Sequence, residues 1–332
     1  MRKLMMILIT AASVALTILG SAHAQPILYG AAHQGPDGMS TLYTINPASG
    51  AATPVGPIGF ERVSAMDYDA EGTLFATGER ADGTDTLVLL TIDPETGVGT
   101  EVGVIGDHSF GDTIADISFR SDGTLYAYLE SSDGLGTLDV GSGDLTELGP
   151  TNVRCCGNGI AFSPSDSLFH SNEDDLNGLN QATGQAVLLT AMVFSPPADD
   201  DPRINAMDFQ AETGVLFASL NDGYADSAEN YLATVDTVTG ITSIIGPTVD
   251  GLDALAWKPE LVFFDHLMCY EIERVKGREM KRREMKRKVV VENQFGEYVF
   301  ILGKARLFCV PTAKTEVIGL KRKRRGHYDD DD

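Results

Sequence analysis

One seven-residue phrase recurs five times along the chain and constrains its fold more than any other feature. The copies read TINPASG, TIDPETG, TLDVGSG, GLNQATG and TVDTVTG, and they close at Gly50, Gly97, Gly143, Gly184 and Gly240. An Asn or Asp side chain accepts hydrogen bonds from the backbone that follows it, and glycine tolerates the positive φ of a tight turn. Each copy is therefore predicted to be a turn between two antiparallel strands.

Two further patterns repeat in step with the phrase. An apolar residue is followed by an aromatic one at Leu28-Tyr29, Leu74-Phe75, Leu125-Tyr126, Leu168-Phe169 and Leu216-Phe217. An apolar, a small or polar, and an aromatic residue stand together in Met66-Asp67-Tyr68, Ile117-Ser118-Phe119, Ile160-Ala161-Phe162, Met207-Asp208-Phe209 and Leu255-Ala256-Trp257. Residues two apart share one face of a strand, so the apolar and aromatic positions are predicted to pack together in every unit.

These repeats predict an all-β fold of five units between Pro26 and Lys258, each of about 47 residues. Four short strands per unit are typical of a propeller blade, so we predict a five-bladed β-propeller over residues 25–258. The long spacing between Gly184 and Gly240 leaves a six-bladed propeller as an alternative, and a linear β-solenoid is another. Since the repeat begins on ILYGAA and ends on LDALAWKP, the last strand is predicted to complete the first blade.

Two stretches resemble exported bacterial β-propellers of the WD40, NHL and TolB-like kind. SDGTLYA (121–127) and TIDPETG (91–97) are similar to phrases that the blades of those families carry. The resemblance implies a propeller blade and no particular chemistry, because such motifs specify structure.

The first 24 residues are predicted to be a cleaved signal peptide. Arg2 and Lys3 precede the apolar run LMMILITAASVALTILG, and Ala22-His23-Ala24 fits a small-residue cleavage site before Gln25. An uncleaved membrane anchor is the alternative, because the apolar run approaches the length of a membrane span. We expect an exported protein, periplasmic or extracellular, with no transmembrane span after cleavage.

The balance of charge changes after Lys258. Up to that residue the chain has 8 Lys or Arg and 35 Asp or Glu, a balance of −27, and from Pro259 on it has 17 against 13, a balance of +4. A change of this kind predicts a domain boundary. We therefore expect a separate small module at residues 259–320 and a disordered charged tail at residues 321–332.

Four cysteines in an exported chain predict disulfide bonds. Cys269 and Cys309 bracket the C-terminal segment and are the natural pair, whereas adjacent Cys155 and Cys156 could form a vicinal bridge, pair with the other two, or stay free. The segment carries HLMCY, QFG and LFCVPTAK, and it resembles a small domain of unknown function from exported bacterial proteins. That resemblance implies a disulfide-pinned β module. A metal site that includes His266 is the alternative.

Polar residues at the start of each innermost strand are predicted to form a ligand site at the mouth of the propeller channel. They are Arg62, Ser64, Asp116, Asn158, Arg203, Asn205 and Asp253. The Asp and Asn oxygens could hold Ca²⁺, which takes six to eight oxygen ligands, and no other cofactor is expected. In lactonase-like propellers, to which the chain would then be similar, such a metal polarises an ester carbonyl.

The sequence carries no nucleophile elbow, zinc-protease motif or phosphate-binding loop. The leading prediction is therefore a non-catalytic, monomeric binding scaffold for a protein or polysaccharide partner. The alternative is a calcium-dependent hydrolase or lactonase, which a histidine paired with the predicted Asp and Asn residues would favour. The basic span Lys276–Lys288 and KRKRR (321–325) can attract anions, but nucleic-acid binding is not predicted because no aromatic residues are interleaved with them.

Overall fold

The computed structural model describes residues 26–33, 38–106, 113–153, 159–195, 202–222, 229–259, 266–271, 287–293, 296–302 and 307–312. The chain divides into two compact units, Met1–Glu260 and Leu261–Asp332. In the described residues the regular secondary structure is entirely β-strand. That part of the chain accordingly contains no helix able to cross a membrane.

The described part of the first unit contains twenty strands. They are β1 (Leu28–His33), β2 (Met39–Ile45), β3 (Ala52–Tyr68), β4 (Leu74–Arg80), β5 (Leu87–Ile92), β6 (Gly99–Val104), β7 (Ile114–Phe119), β8 (Leu125–Leu129), β9 (Gly134–Leu138), β10 (Leu145–Pro150), β11 (Ile160–Phe162), β12 (Leu168–Ser171), β13 (Asp175–Leu179), β14 (Ala186–Ala191), β15 (Val193–Ser195), β16 (Arg203–Gln210), β17 (Val215–Asp222), β18 (Glu229–Val235), β19 (Ile241–Pro247) and β20 (Leu252–Trp257).

These strands form four sheets in which one order is repeated. A seven-stranded sheet runs β20-β1-β2-β3-β4-β5-β6, and two four-stranded sheets run β7-β8-β9-β10 and β11-β12-β13-β14. The fourth sheet runs β16-β17-β18-β19-β15, and only its β15–β19 pair is parallel. Groups of four consecutive antiparallel strands are the architecture of a β-propeller-like repeat fold, as the sequence predicts.

The seven-stranded sheet arises because β3 is continuous over 17 residues. Its first part pairs with β2, whereas Phe60, Glu61 and its last part, Ala65–Tyr68, pair with β4. Gly59 and Arg62 have φ values of 84° and 44°, and the register shifts between Glu61 and Ala65, so the strand bends there. β3 therefore ends one group of four strands and begins the next, where the repeat alone predicts two separate strands.

The first strand of each group, here called the inner strand, contacts its counterparts in the neighbouring groups. The inner strands are the last part of β3, then β7, β11, β16 and β20, and each contacts the next, with β20 contacting β3. β20 also pairs with β1, which places Leu28 opposite Trp257. This pairing confirms that the last strand of the unit completes the sheet that begins at its N-terminus.

Aromatic residues link the groups to one another. Each contact joins a ring from an inner strand to a ring from the second strand of the preceding group, with centroids 5.1 to 6.0 Å apart. The pairs are Tyr29–Tyr68, Phe75–Phe119, Tyr126–Phe162, Phe169–Phe209 and Phe217–Trp257. The sequence predicts packing within each unit, and these rings also stabilise the boundaries between units.

The repeated phrase is a turn at all five positions, as predicted. In the second copy the N–H of Glu95 donates to Oδ1 of Asp93 at 2.9 Å, and the N–H of Gly97 donates to the Asp93 carbonyl at 2.8 Å. The five closing glycines have φ between 72° and 82°. This left-handed conformation favours glycine over residues that carry a Cβ.

The closing glycine is also pressed against the outer strand of the preceding group. A Cβ added to Gly97 would lie 2.6 Å from the carbonyl oxygen of Gly56 and 3.0 Å from its Cα. The equivalent contacts join Gly143 to Gly103, Gly184 to Gly149, Gly240 to Ala191 and Gly50 to Gly246. The repeated glycine is thus required by backbone conformation and by the close approach of two backbones.

The second unit contains four described strands in two antiparallel pairs. β21 (His266–Glu271) pairs with β24 (Leu307–Thr312), and β22 (Arg287–Asn293) pairs with β23 (Gly296–Leu302). The register of β21 and β24 places Cys269 opposite Cys309. Directly opposed residues in antiparallel strands have Cα separations that a disulfide can bridge, and this bridge stays a prediction.

Candidate functional site

The inner strands begin at one end of the first unit, here called the upper end, and finish at the opposite, lower end. Predicted site residues lie at the upper end of three of them: Arg62 and Ser64 on β3, Arg203 and Asn205 on β16, and Asp253 on β20. Asp116 lies further along β7. Asn158, Cys155 and Cys156 fall outside the described residues, so the predictions about them stay untested.

His33, which the sequence does not single out, joins this group at the end of β1. Its N–H donates to the Gly251 carbonyl at 3.2 Å, next to β20. Its Nδ1 lies 3.0 Å from Oδ2 of Asp253, an ion-pair distance at an angle poor for a hydrogen bond. Oδ1 of the same carboxylate accepts a 2.7 Å hydrogen bond from Nδ2 of Asn205. The contact with Asp253 raises the pKa of His33, whereas burial lowers it.

Arg62 and Glu79 form a second pair at the upper end. Nη1 of Arg62 donates to Oε1 of Glu79 at 3.2 Å, and the Glu79 side chain is only 9% exposed, against 61% for Arg62. The N–H of Arg62 donates to the Gly38 carbonyl at 3.0 Å, which holds the residue at its positive φ. His33 is opposite Ser40 in the pairing of β1 with β2, and the Oγ of Ser40 accepts from the N–H of Val63, the residue after Arg62, at 2.9 Å, so His33 and Arg62 flank the same residue of β2. The guanidinium opposes the rise in the pKa of His33.

A third pair joins Arg203 to Glu173, with Nε of Arg203 3.7 Å from Oε1 of Glu173. Among the described residues, the upper end therefore carries two ion pairs, the contact between His33 and Asp253, and the amide of Asn205. These side chains supply hydrogen-bond donors and acceptors of both signs in fixed places. Such an arrangement can bind a polar ligand.

Asp116 has a structural role instead of a place on the ligand surface. It is fully buried, and Oδ2 accepts hydrogen bonds from the N–H groups of Ile160 at 2.9 Å and Met207 at 3.2 Å. Oδ1 accepts from the N–H of Ile117 at 3.0 Å. Burial raises the pKa of Asp116 well above its ordinary range. One carboxyl group thus joins three inner strands.

Most of the described oxygens that the sequence predicts to bind calcium have other partners, and Asn158 lies outside the described residues, so the calcium prediction stays untested. Those of Asp116 are taken by backbone amides, those of Asp253 face His33 and Asn205, and the Ser64 hydroxyl donates to a backbone carbonyl at 2.7 Å. Calcium takes six to eight oxygen ligands. In the part of the chain that the structure describes, no group of three or more His, Cys, Asp or Glu could hold a metal ion.

At the lower end, the middle residue of the apolar-polar-aromatic pattern bonds to the next inner strand. Asp67 accepts from the N–H of Phe119 at 2.6 Å, Ser118 from Phe162 at 3.0 Å, and Asp208 from Trp257 at 2.5 Å. The two remaining copies have Ala161 and Ala256, which carry no acceptor. Three of the five boundaries therefore have this hydrogen bond, and two of those use a carboxyl group.

Asp67, Ser118 and Asp208 also line a cavity of about 150 Å³, together with aromatic residues of the inner strands and Lys258. Burial raises the pKa of Asp67 to about 7. Burial, together with the charge of nearby Asp67, raises the pKa of Asp208 well above its ordinary range. Both carboxyl groups consequently retain protons at a pH where an exposed aspartate is ionised.

We expect the free energy of unfolding to fall as the pH rises from about 4 to about 7. The folded chain binds a proton at Asp67 that the unfolded chain releases near pH 4, so stability is present below that pH and is lost as the pH rises through the folded pKa, about 7. Asp67→Asn should flatten this dependence. Urea unfolding of both proteins between pH 4 and 8 measures it.

Glu71→Gln is the matched control, because it removes the same charge from an exposed turn residue. It should leave the slope of stability against pH close to that of the wild type. Equal slopes for the wild type and Asp67→Asn would contradict the expected proton linkage.

Sequence reasoning missed His33, Glu79, Asp67 and Asp208. The two aspartates had a visible signal, because each stands between two core residues of a repeated pattern. His33 had an indirect one, because it becomes a neighbour of Asp253 only when β1 and β20 pair. Glu79 lies near the end of β4, after residues whose pattern predicts core positions. No sequence pattern predicts Glu79 as a site residue.

Comparisons with known proteins give no family. No family model and no curated protein match the chain. A chain of the nidogen/laminin complex is similar with a TM-score of 0.45 and 9% identity, covering 71% of this chain and 98% of that one. A protein of unknown function from Bacteroides caccae has a TM-score of 0.42 and 10% identity, covering 70% and 99%. Function therefore has to be inferred from the side chains of this protein.

Proposed function

We propose that the chain is an exported, five-bladed β-propeller whose upper end binds a polar partner. Several contacts that repeat five times favour five blades: the turn phrase, the aromatic pairs and the glycine contacts between groups. The longer spacing between Gly184 and Gly240 accommodates β15, which adds to the edge of β19, and in the described residues it forms no sheet of its own. This favours five blades over six.

Export is part of the proposal. It is supported by the charged and apolar residues at the start of the chain and by the small residues Ala22 and Ala24 of the predicted cleavage site. An oxidising compartment would let Cys269 and Cys309, which oppose each other in β21 and β24, form their bridge. The second unit is then a small stapled β module attached to the propeller.

One observation supports the binding function: five polar side chains lie together at the upper end. They are His33, Asp253, Asn205, Arg62 and Glu79. The groups come from five strands, β1, β3, β4, β16 and β20, and the contacts between them fix their positions. Oriented donors and acceptors of this kind suit the hydroxyl and acidic groups of a sugar. Of the two partner classes that the sequence allows, a polysaccharide is therefore favoured over a protein.

Binding is better supported than catalysis. The pair of His33 and Asp253 is the feature that would favour a hydrolase, but the described oxygens beside it already have protein partners. The hydroxyl of Ser64 is bonded to the Ile114 carbonyl. The arrangement can position a ligand without any further group.

Affinity electrophoresis tests the binding function. The wild-type protein should migrate more slowly in native gels that contain polygalacturonate or dextran than in plain gels. The double variant Asn205→Ala/Asp253→Ala should lose most of the retardation, because it removes two side chains of the site. Retardation is compared as the ratio of mobilities with and without polymer. Glu71→Gln, which changes the net charge by the same amount, should behave as the wild type.

Two outcomes would contradict the proposal. Equal retardation of the wild type and the double variant would place binding elsewhere on the molecule. Unchanged mobility of the wild type in both polymers would exclude these polysaccharides as partners.

A further inference from the structure

We propose that the upper end binds a carboxylate group, held by Arg62 and His33. This inference rests on the proposed binding function and names the chemical group that the site selects. The carboxylate can belong to a small organic acid or to an acidic polysaccharide, and the experiment below separates these sources.

Several described acceptor atoms at the upper end already have partners. Asp253 directs one oxygen at His33 and the other at the amide of Asn205. Glu79 accepts from Arg62 with Oε1, and its side chain is almost buried. Within the described residues, a ligand that approaches Arg62 and His33 therefore meets carboxylate oxygens that are paired or, like Oε2 of Glu79, buried.

The donors are open to a ligand. Arg62 is 61% exposed, and Nη1 makes its only side-chain hydrogen bond within the described residues. A guanidinium has five N–H groups, so it can hold a carboxylate with two parallel hydrogen bonds while Nη1 stays on Glu79. The side chain of His33 is 37% exposed, and because Nδ1 faces Asp253, Nε2 is the atom left to donate.

The backbone holds Arg62 in place for this role. A φ of 44° is uncommon for a residue other than glycine, asparagine or aspartate. The hydrogen bond from the N–H of Arg62 to the Gly38 carbonyl fixes the backbone of Arg62. The next residue is also fixed, because the N–H of Val63 donates to Oγ of Ser40 at 2.9 Å. Strained residues that the surrounding structure holds in place are concentrated at functional sites.

Protonation of His33 should strengthen binding. Among the described residues, the charged groups that act on His33 are the carboxylate of Asp253 on β20 and the guanidinium of Arg62 on β3, which is paired with Glu79 on β4. The imidazolium adds a second positive charge beside Arg62. Affinity for a carboxylate is therefore expected to fall as the pH rises from 6 to 9.

Galacturonate and galactose are the probes, because they differ only in the carboxylate. We expect galacturonate, titrated into full-length protein at pH 6, to shift the ¹⁵N resonances of His33 and to raise its apparent pKa, as the bound anion stabilises the imidazolium. Galactose at the same concentration should shift neither. If polygalacturonate competes with galacturonate for the site, the polymer is a source of the bound carboxylate. If it does not compete, the carboxylate belongs to a small organic acid.

The variants Arg62→Gln and His33→Gln should each weaken galacturonate binding about tenfold or more, since each removes a charged donor from the carboxylate. The amide of Arg62→Gln can still donate to Glu79, so the fold should be retained, which a thermal melt checks. Arg120→Gln is the control: it makes the same change to an arginine paired with Asp122 on the strand end opposite the site. It should leave the affinity unchanged.

The possible failures are distinguishable. Galactose that binds as tightly as galacturonate, or Arg62→Gln with wild-type affinity, would overturn the carboxylate inference and leave the binding function in place. Absence of any shift with either sugar, together with unretarded migration in both polymer gels, would overturn both.

Discussion

Replacing Gly97 with alanine is expected to lower the free energy of unfolding by about 3 kcal/mol. Two costs add at this position. The residue has a φ of 82°, which disfavours any Cβ, and the new Cβ would meet three backbone atoms of Gly56 at 2.6 to 3.0 Å. Backbone cannot move aside as a side chain can, so the two neighbouring groups of strands must separate. Urea unfolding followed by circular dichroism gives the loss.

Gly123→Ala separates the two costs. Gly123 has a φ of 86°, but a Cβ there would meet nothing within 4 Å. Only the conformational term remains, about 1 kcal/mol. If both variants lost the same stability, the contact between the turn and the preceding group would contribute nothing, and the glycine would be explained by the turn alone.

Asp116→Ala is expected to cost about 3 kcal/mol or more. Removing the carboxyl group leaves the buried N–H groups of Ile160, Met207 and Ile117 without their acceptor. Because these amides belong to three inner strands, the loss should appear in the global unfolding transition. Thermal and urea unfolding of the variant measure it.

Asp116→Asn should cost less than the alanine variant. Its amide oxygen can keep both hydrogen bonds that Oδ2 accepts, while the NH₂ group faces the N–H of Ile117 unfavourably. The raised pKa of Asp116 means that an uncharged side chain is tolerated there. Equal losses for the two variants would show that the negative charge, and not the acceptor geometry, stabilises the inner strands.

Much of the fold can be predicted from the sequence because each group repeats the same local chemistry. The Asx residue and the glycine of TIDPETG form the turn that their side-chain chemistry favours, and the apolar and aromatic positions form the core. The continuity of β3 could not be predicted, since it depends on a bend at Arg62 where a loop would be expected. The place of β15 beside β19 is likewise a tertiary pairing without a local signal.

The candidate site could be predicted only in part. Asn205 and Asp253 do meet at the upper end, because inner strands in neighbouring groups begin at the same level. Asp116 lies one residue further along the repeat than Asn205 and Asp253, so its side chain belongs to the opposite face of the strand and is buried. Glu79 comes from β4, the second strand of its group. The direction of a side chain at the end of such a strand depends on packing between groups, which the sequence of one repeat does not determine.

The pairing of β1 with β20 has a consequence for the order in which the chain can fold. β1 is made first, yet the edge that it shares with β20 stays without a partner until the last strand of the unit has been synthesised. Contacts between residues so distant in sequence form slowly, and an unpaired edge can meanwhile pair with another chain. Yield on refolding should therefore depend on protein concentration more than on the stability of the finished molecule, and a chain truncated before Leu252 should aggregate instead of folding as a smaller ring.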